Sequence, residues 1–176
     1  MKVNMTPYLE AFRSPRLAAV LFLGFSSGLP LALTGGTLQA WLTVSQVDIV
    51  TIAWFSWIGL PYALKFIWSP LMDRYVPPWL DRRRGWIWLT QAALLLGIVA
   101  MAFSSPTDSL WVLGCAALCV AFFSASQDVV IDAYRTDVLL GPERGLGAAM
   151  GVFGYRIGML ASGALALMLV DEIGWR

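Results

Sequence analysis

Histidine does not occur among the 176 residues, cysteine occurs twice, and charged side chains make up only 13% of the chain. Without histidine the commonest metal ligand is missing, and a carboxylate becomes the natural group to carry a proton near neutral pH. Cys115 and Cys119 sit one helical turn apart in an apolar stretch and read as small packing residues, since their spacing forms no metal-binding pattern. No nucleophile–base pair, metal cluster or phosphate-binding loop is present, so neither an enzyme nor a cofactor is expected. Low-complexity segments and a separate soluble domain are also lacking. The net charge of +1 gives no reason to expect a nucleic-acid partner.

What the chain has in quantity is apolar surface. It is 59% hydrophobic with a mean hydropathy of +0.70, more than a soluble domain of this size can hide. Five apolar segments stand out, at 17–43, 50–72, 86–104, 110–134 and 146–170. Each is near or above the roughly 20 residues that a helix needs to cross about 30 Å of hydrocarbon. The runs are continuous and lack the period-2 alternation of barrel strands. The sequence therefore predicts an all-α, polytopic transmembrane helix bundle in a lipid bilayer. The first segment is too long for a signal-peptide core and is read as an uncleaved span.

Lysine and arginine are distributed unevenly between the connections. Lys2, Arg13 and Arg16 precede the first segment, Arg74, Arg82, Arg83 and Arg84 follow the second, and Arg135 and Arg144 follow the fourth; the connections near 45–48 and 104–109 hold none. The positive-inside rule then places the N-terminus in the cytoplasm.

Four charges lie inside the apolar segments: Lys65, Asp128, Asp132 and Arg156. A charge at membrane depth costs roughly 2.5–3.5 kcal/mol even on insertion scales. Two cations and two anions therefore require one another, water or a ligand, which points to a polar path and to transport. Ser124, Asp128, Asp132 and Arg135 follow one another at i, i+4, i+8 and i+11 on one helical face, with Gln127 at its edge. The i, i+3 pair of Asp132 and Arg135 suits a helix-end ion pair. In the fifth segment Gly147, Gly151, Gly154, Gly158 and Ser162 form a narrow stripe that allows close helix approach, and Arg156 lies on the opposite side. Breaks at Gly28-Leu29-Pro30 and Gly35-Gly36 predict a bend in the first segment. Most of the tryptophans near segment ends read as interface anchors.

Longer motifs carry a resemblance. Asp73-Arg74 followed by Arg82-Arg83-Arg84-Gly85 is similar to the signature between the second and third helices of the major facilitator superfamily, with Ser69 in place of its first glycine and extra residues between its halves. Gly24-Phe25-Ser26-Ser27-Gly28-Leu29-Pro30, Leu38-Gln39-Ala40-Trp41, Trp68-Ser69-Pro70-Leu71-Met72-Asp73-Arg74-Tyr75, Ser124-Ala125-Ser126-Gln127-Asp128 and Gly154-Tyr155-Arg156 resemble the AmpG-type muropeptide permeases of Gram-negative bacteria. The resemblance runs from about residue 8 to the end.

It implies a multi-pass bacterial inner-membrane importer of anhydro-muropeptides (N-acetylglucosamine-anhydro-N-acetylmuramyl peptides), driven by protons, serving cell-wall recycling and feeding β-lactamase induction. Acetyl-coenzyme A transporters of the same family are the alternative, and a non-transporting receptor or scaffold is the rival from another class. Residues 1–176 would then form an N-terminal transmembrane half, five spans of a six-helix unit, whose partner is the C-terminal half of the same transporter. Lys65 and Arg156 are expected to meet ligand carboxylates, and Gln39, Tyr62, Gln127 and Tyr155 its hydroxyls and amides. Asp128 is the expected proton carrier, with Asp132 next: desolvation and a neighbouring cation pull a buried carboxylate's protonation in opposite directions. Asp73, Arg74 and Arg135 are expected to form a conformational latch.

Overall fold

The structure, a computed structural model, describes residues 14–78 and 80–175. Lys2 and Arg13, which entered the charge count, lie outside them. Every regular element among the described residues is helical. Four helices are long and apolar enough to cross a membrane: α1 (Pro15–Val44), α4 (Arg82–Ala102), α5 (Leu110–Val138) and α6 (Arg144–Val170). Helical structure in α6 runs on to Ile173.

The second apolar segment departs from the continuous span expected at 50–72. It divides into α2 (Ile49–Leu64) and a short α3 (Ser69–Arg74), joined by turns over Lys65 to Trp68. Proline explains the break. Pro70 has no N–H to donate to the carbonyl of Phe66, and the Ser69 hydroxyl takes that carbonyl instead at 3.2 Å. Pro61 likewise cannot serve Trp57, whose carbonyl accepts from the Leu60 N–H in a tightened turn, Ser56–Gly59. At the start of α2, Asp48 accepts from the N–H groups of Val50 (3.0 Å) and Thr51 (2.9 Å), a side-chain cap. The Thr51 hydroxyl and these amides hold the Asp48 carboxyl below its ordinary range.

The bend expected in α1 occurs at the glycine pair and not at Pro30. Residues Leu33–Thr37 widen into a π-helical turn, with Gly35 at φ −96°, ψ −108°. A second widened turn, Ala161–Leu165, lies in α6.

The small stripe of α6 packs on α1. A Cβ added at Gly154 would overlap the carbonyl oxygen of Leu21, and one at Gly158 that of Phe25. In the other direction, Gly24 faces the Gly151 carbonyl and Gly28 that of Tyr155. Such contact brings backbones together where lipid supplies no hydrophobic drive for helix association. Gly147 faces the Leu139 side chain instead. Helix α4 pairs with α5, which also touches α1 and α2. An apolar core of Leu38, Leu42, Ile58, Leu94, Met101, Leu113, Ala117, Val120 and Ala121 fills the half of the bundle away from the arginine-bearing connections.

Candidate functional site

The opposite, basic-end half is less completely filled, with a smaller apolar cluster of Leu17, Val20 and Leu139. A cavity of about 460 Å³ lies there, walled by α1 (Val20, Gly24, Ser27, Leu31), the α2–α3 break (Lys65), α5 (Asp128, Ile131, Asp132, Arg135) and α6 (Gly151, Val152, Tyr155, Arg156, Met159). The break places Lys65 there. One turn on, Trp68 donates its indole N–H to Ser126 on α5 at 3.0 Å and packs on Phe122. The irregular segment is thereby pinned beside Asp128.

Asp128 is the centre of the polar wall. Its side chain is 11% exposed and its Oδ2 lies 3.7 Å from the Lys65 Nζ. Its other oxygen, Oδ1, accepts a hydrogen bond from the Ser27 hydroxyl. Ser27 is itself 4% exposed, so three elements converge on one carboxylate. Asp132, a turn nearer the basic end, is 57% exposed and pairs with Arg135 at 3.0 Å. Asp128 is therefore much the more buried of the two carboxylates. Arg135 in turn lies along Gly151.

Arg156 also faces the cavity and has no carboxylate within 4 Å among the described residues. The cavity thus holds three cations, Lys65, Arg135 and Arg156, against two anions, Asp128 and Asp132. The surplus cation and its fork of N–H donors suit a carboxylate or phosphate.

Three of the six expected ligand-contact residues, Lys65, Arg156 and Tyr155, line this cavity, and three do not. Gln127 is fully buried and donates to Ser26 at 3.3 Å, alongside Gln91 at 2.6 Å. One residue before Asp128, it is rotated about 100° around the helix and so faces the α1 and α4 interior. Tyr62 packs on the apolar core with its hydroxyl buried. Gln39 lies beyond the α1 bend and reaches Ser56 at 3.4 Å.

Asp73, Arg74 and Arg135, the residues expected to form a latch, do not come together in one cluster. Asp73 pairs with Arg83 at 2.5 Å, and Arg83 also meets Asp137 at 3.0 Å. Arg135 is taken by Asp132, and Arg74 is exposed and in none of the ion pairs of the described residues. The i, i+3 geometry within α5 gives Arg135 its carboxylate partner locally, although its side chain also lies against Gly151 of α6. Ser27 and Arg83 were the residues sequence reasoning passed over. For Ser27 the signal was a hydroxyl between Gly24 and Gly28, where helices approach closely. For Arg83 it was only one arginine among three.

Comparison with known proteins places the chain among transporters by sequence. The family described as "Acetyl-coenzyme A transporter 1" matches residues 17–111, just over half of the chain. The anhydromuropeptide permease of Escherichia coli (strain K12) is 57% identical over 170 residues, covering 96% of this chain and 35% of the permease. A Haemophilus influenzae protein is 44% identical over 154 residues, 88% of this chain and 36% of its own length. A Rickettsia felis protein carrying an AmpG transporter name is 38% identical over 168 residues, 94% of this chain and 41% of its own. The chain spans 35% to 41% of the length of these relatives. These permease relatives and the four long apolar helices make it a multi-pass membrane protein. It belongs to the family described as acetyl-coenzyme A transporter 1, with AmpG-type permeases among its relatives.

Proposed function

We propose that this chain is part of a proton-coupled permease that imports anhydro-muropeptides across the bacterial inner membrane for cell-wall recycling, and that it has no enzymatic role. The observation that carries the reading is the cavity's surplus cation: Arg156, without a carboxylate partner among the described residues, faces the same space as Lys65 and Tyr155. A peptide-bearing amino sugar presents carboxylates to such cations and hydroxyls to Tyr155. Identity of 57% to the Escherichia coli anhydromuropeptide permease supports that substrate, while the family description supports acetyl-coenzyme A, which is also anionic.

Residues 1–176 are five crossings of one six-helix half in this proposal, with α2 and α3 together making the second. The length of the relatives leaves a second half to wall the cavity from the other side. The N-terminus is cytoplasmic, because the basic connections gather at one end. The cavity then opens inward and the apolar core closes the outer half, an inward-facing arrangement. Asp128 carries the proton, Asp132 being tied up with Arg135 nearer the surface. The deciding experiment is uptake of labelled disaccharide-peptide into vesicles by the full-length protein. Gradient-dependent accumulation is expected; accumulation of acetyl-coenzyme A alone moves the substrate, and none of either points to a receptor or scaffold.

A further inference from the structure

The polar contacts of α1 with its neighbours are few, and two consecutive serines make those at the level of the site. Ser26 accepts from Gln91 of α4 and Gln127 of α5, and both donors are neutral amides whose state does not change. Ser27 donates to Asp128, which can gain or lose a proton. On its other side α1 is fastened to α6 through backbone-close contacts at Gly24, Gly28, Gly154 and Gly158. Helix α4 meets α5 similarly closely at Gly97, where a Cβ would lie 2.6 Å from a Val120 methyl. The bundle therefore divides into an α1–α6 pair and an α4–α5 pair. The Ser27–Asp128 bond crosses between them.

We propose that Ser27 is the positioning residue that transmits the protonation state of Asp128 to the α1–α6 pair. The inference rests on the proposed role of Asp128 as proton carrier. An ionised Asp128 is an acceptor only, and Ser27 satisfies it with a donated O–H. When Asp128 binds a proton it gains a donor of its own. The charge-assisted bond from Ser27 becomes a weaker neutral one, and the attraction to Lys65 falls away. The polar and charged groups around Asp128 come from four elements: Ser27 on α1, Lys65 at the break together with Tyr62 of α2, whose ring packs on the apolar core, Asp132 on α5 itself, and Tyr155 on α6 with Arg156 beside it. Of these, Ser27 alone combines a direct hydrogen bond with a place on the glycine-packed helix pair. A proton arriving at Asp128 loosens α1, and with it α6, from α5. Its departure restores the bond.

The test uses the full-length transporter in liposomes. Spin labels replace Phe22 on α1 and Trp88 on α4, both exposed and outside the site. The α1–α4 distance is followed against pH, beside gradient-driven uptake and ligand exchange. The unsubstituted site should show a pH-dependent distance change. Ser27→Ala should abolish that change and lower driven accumulation at least about tenfold, the scale of a lost hydrogen bond to a charged group, while exchange persists. Ser27→Thr, which keeps the hydroxyl, should restore both. A distance change that survives in Ser27→Ala but not in Asp128→Asn overturns the role of Ser27 and leaves Asp128 as carrier. A change that survives in Asp128→Asn overturns the carrier reading itself. Loss in both Ser27→Ala and Ser27→Thr, with both still folded by thermal denaturation, means that the hydroxyl is not the transmitting group.

Discussion

Adding one methyl group at Gly28 should disturb this bundle more than most larger changes elsewhere. A Cβ there would overlap the carbonyl oxygen of Tyr155 and lie 2.9 Å from its carbonyl carbon and 3.1 Å from its Cα. All three are backbone atoms, so no side chain can swing away. Ordinary carbon contacts fall near 3.5–4.0 Å, so α1 and α6 must part by roughly 1 Å, a gap that forfeits a quarter to a half of the dispersion attraction at each contact. Lipid gives no compensating hydrophobic drive, and overpacking of this kind costs about 1–3 kcal/mol. Gly28→Ala should therefore lower stability by about 2 kcal/mol in a reversible unfolding assay of the full-length protein in detergent or bicelles. Gly145→Ala on exposed α6 is the control: a Cβ there meets nothing within 4 Å, and stability should stay level or rise by up to about 1 kcal/mol. Because Ser27 immediately precedes it, Gly28→Ala should also impair driven uptake. Equal unfolding free energies for Gly28→Ala and Gly145→Ala would refute the close-packed α1–α6 interface.

Arg156→Lys keeps the charge but removes the planar fork, so it should raise the apparent KM for the disaccharide-peptide about tenfold or more; wild-type uptake would reduce Arg156 to a structural ion. Arg83→Met should cost stability only about 1 kcal/mol, because Asp73 and Asp137 are both more than half exposed. It should nevertheless shift the conformational balance and slow alkylation of a cysteine at Ile131, which lines the cavity, from the basic side; an unchanged alkylation rate would discount the Asp73–Arg83–Asp137 cluster as a latch. Cysteines at Gln46 and Arg84 should label from the periplasm and the cytoplasm respectively, and the reverse pattern would invert the orientation.

The class of fold was legible because its determinants are local. Long apolar runs dictate helices in lipid whatever they pack against, and the alternation of arginine-bearing and arginine-free connections needs no tertiary contact to read. The glycine stripe of α6 and the Asp132–Arg135 pair were equally visible, since residues three or four apart on one helix must share a face. The weak point of α1 was legible too, although the bend settled at Gly35 and spared Pro30.

Relations between helices were not contained in any one segment. Spacing could place Gln127 near a polar face, but only packing turned it toward Ser26 and left Asp128 facing the cavity. Tyr62 and Gln39 were chosen for chemistry, and the α2 contacts and the α1 bend carried them elsewhere. The second segment read as apolar and continuous, yet prolines 61 and 70 left carbonyls that tighter turns and a serine hydroxyl had to satisfy, and that break is what delivers Lys65 to Asp128. The sequence by itself determined that charges lie at membrane depth and must find partners. The Asp132–Arg135 pair is local to α5, but that Ser27 meets Asp128 and that Arg156 has no carboxylate beside it among the described residues depended on how the helices pack, and above all on how closely α1 and α6 could approach. That distance is set by glycine backbones from two helices far apart in the chain.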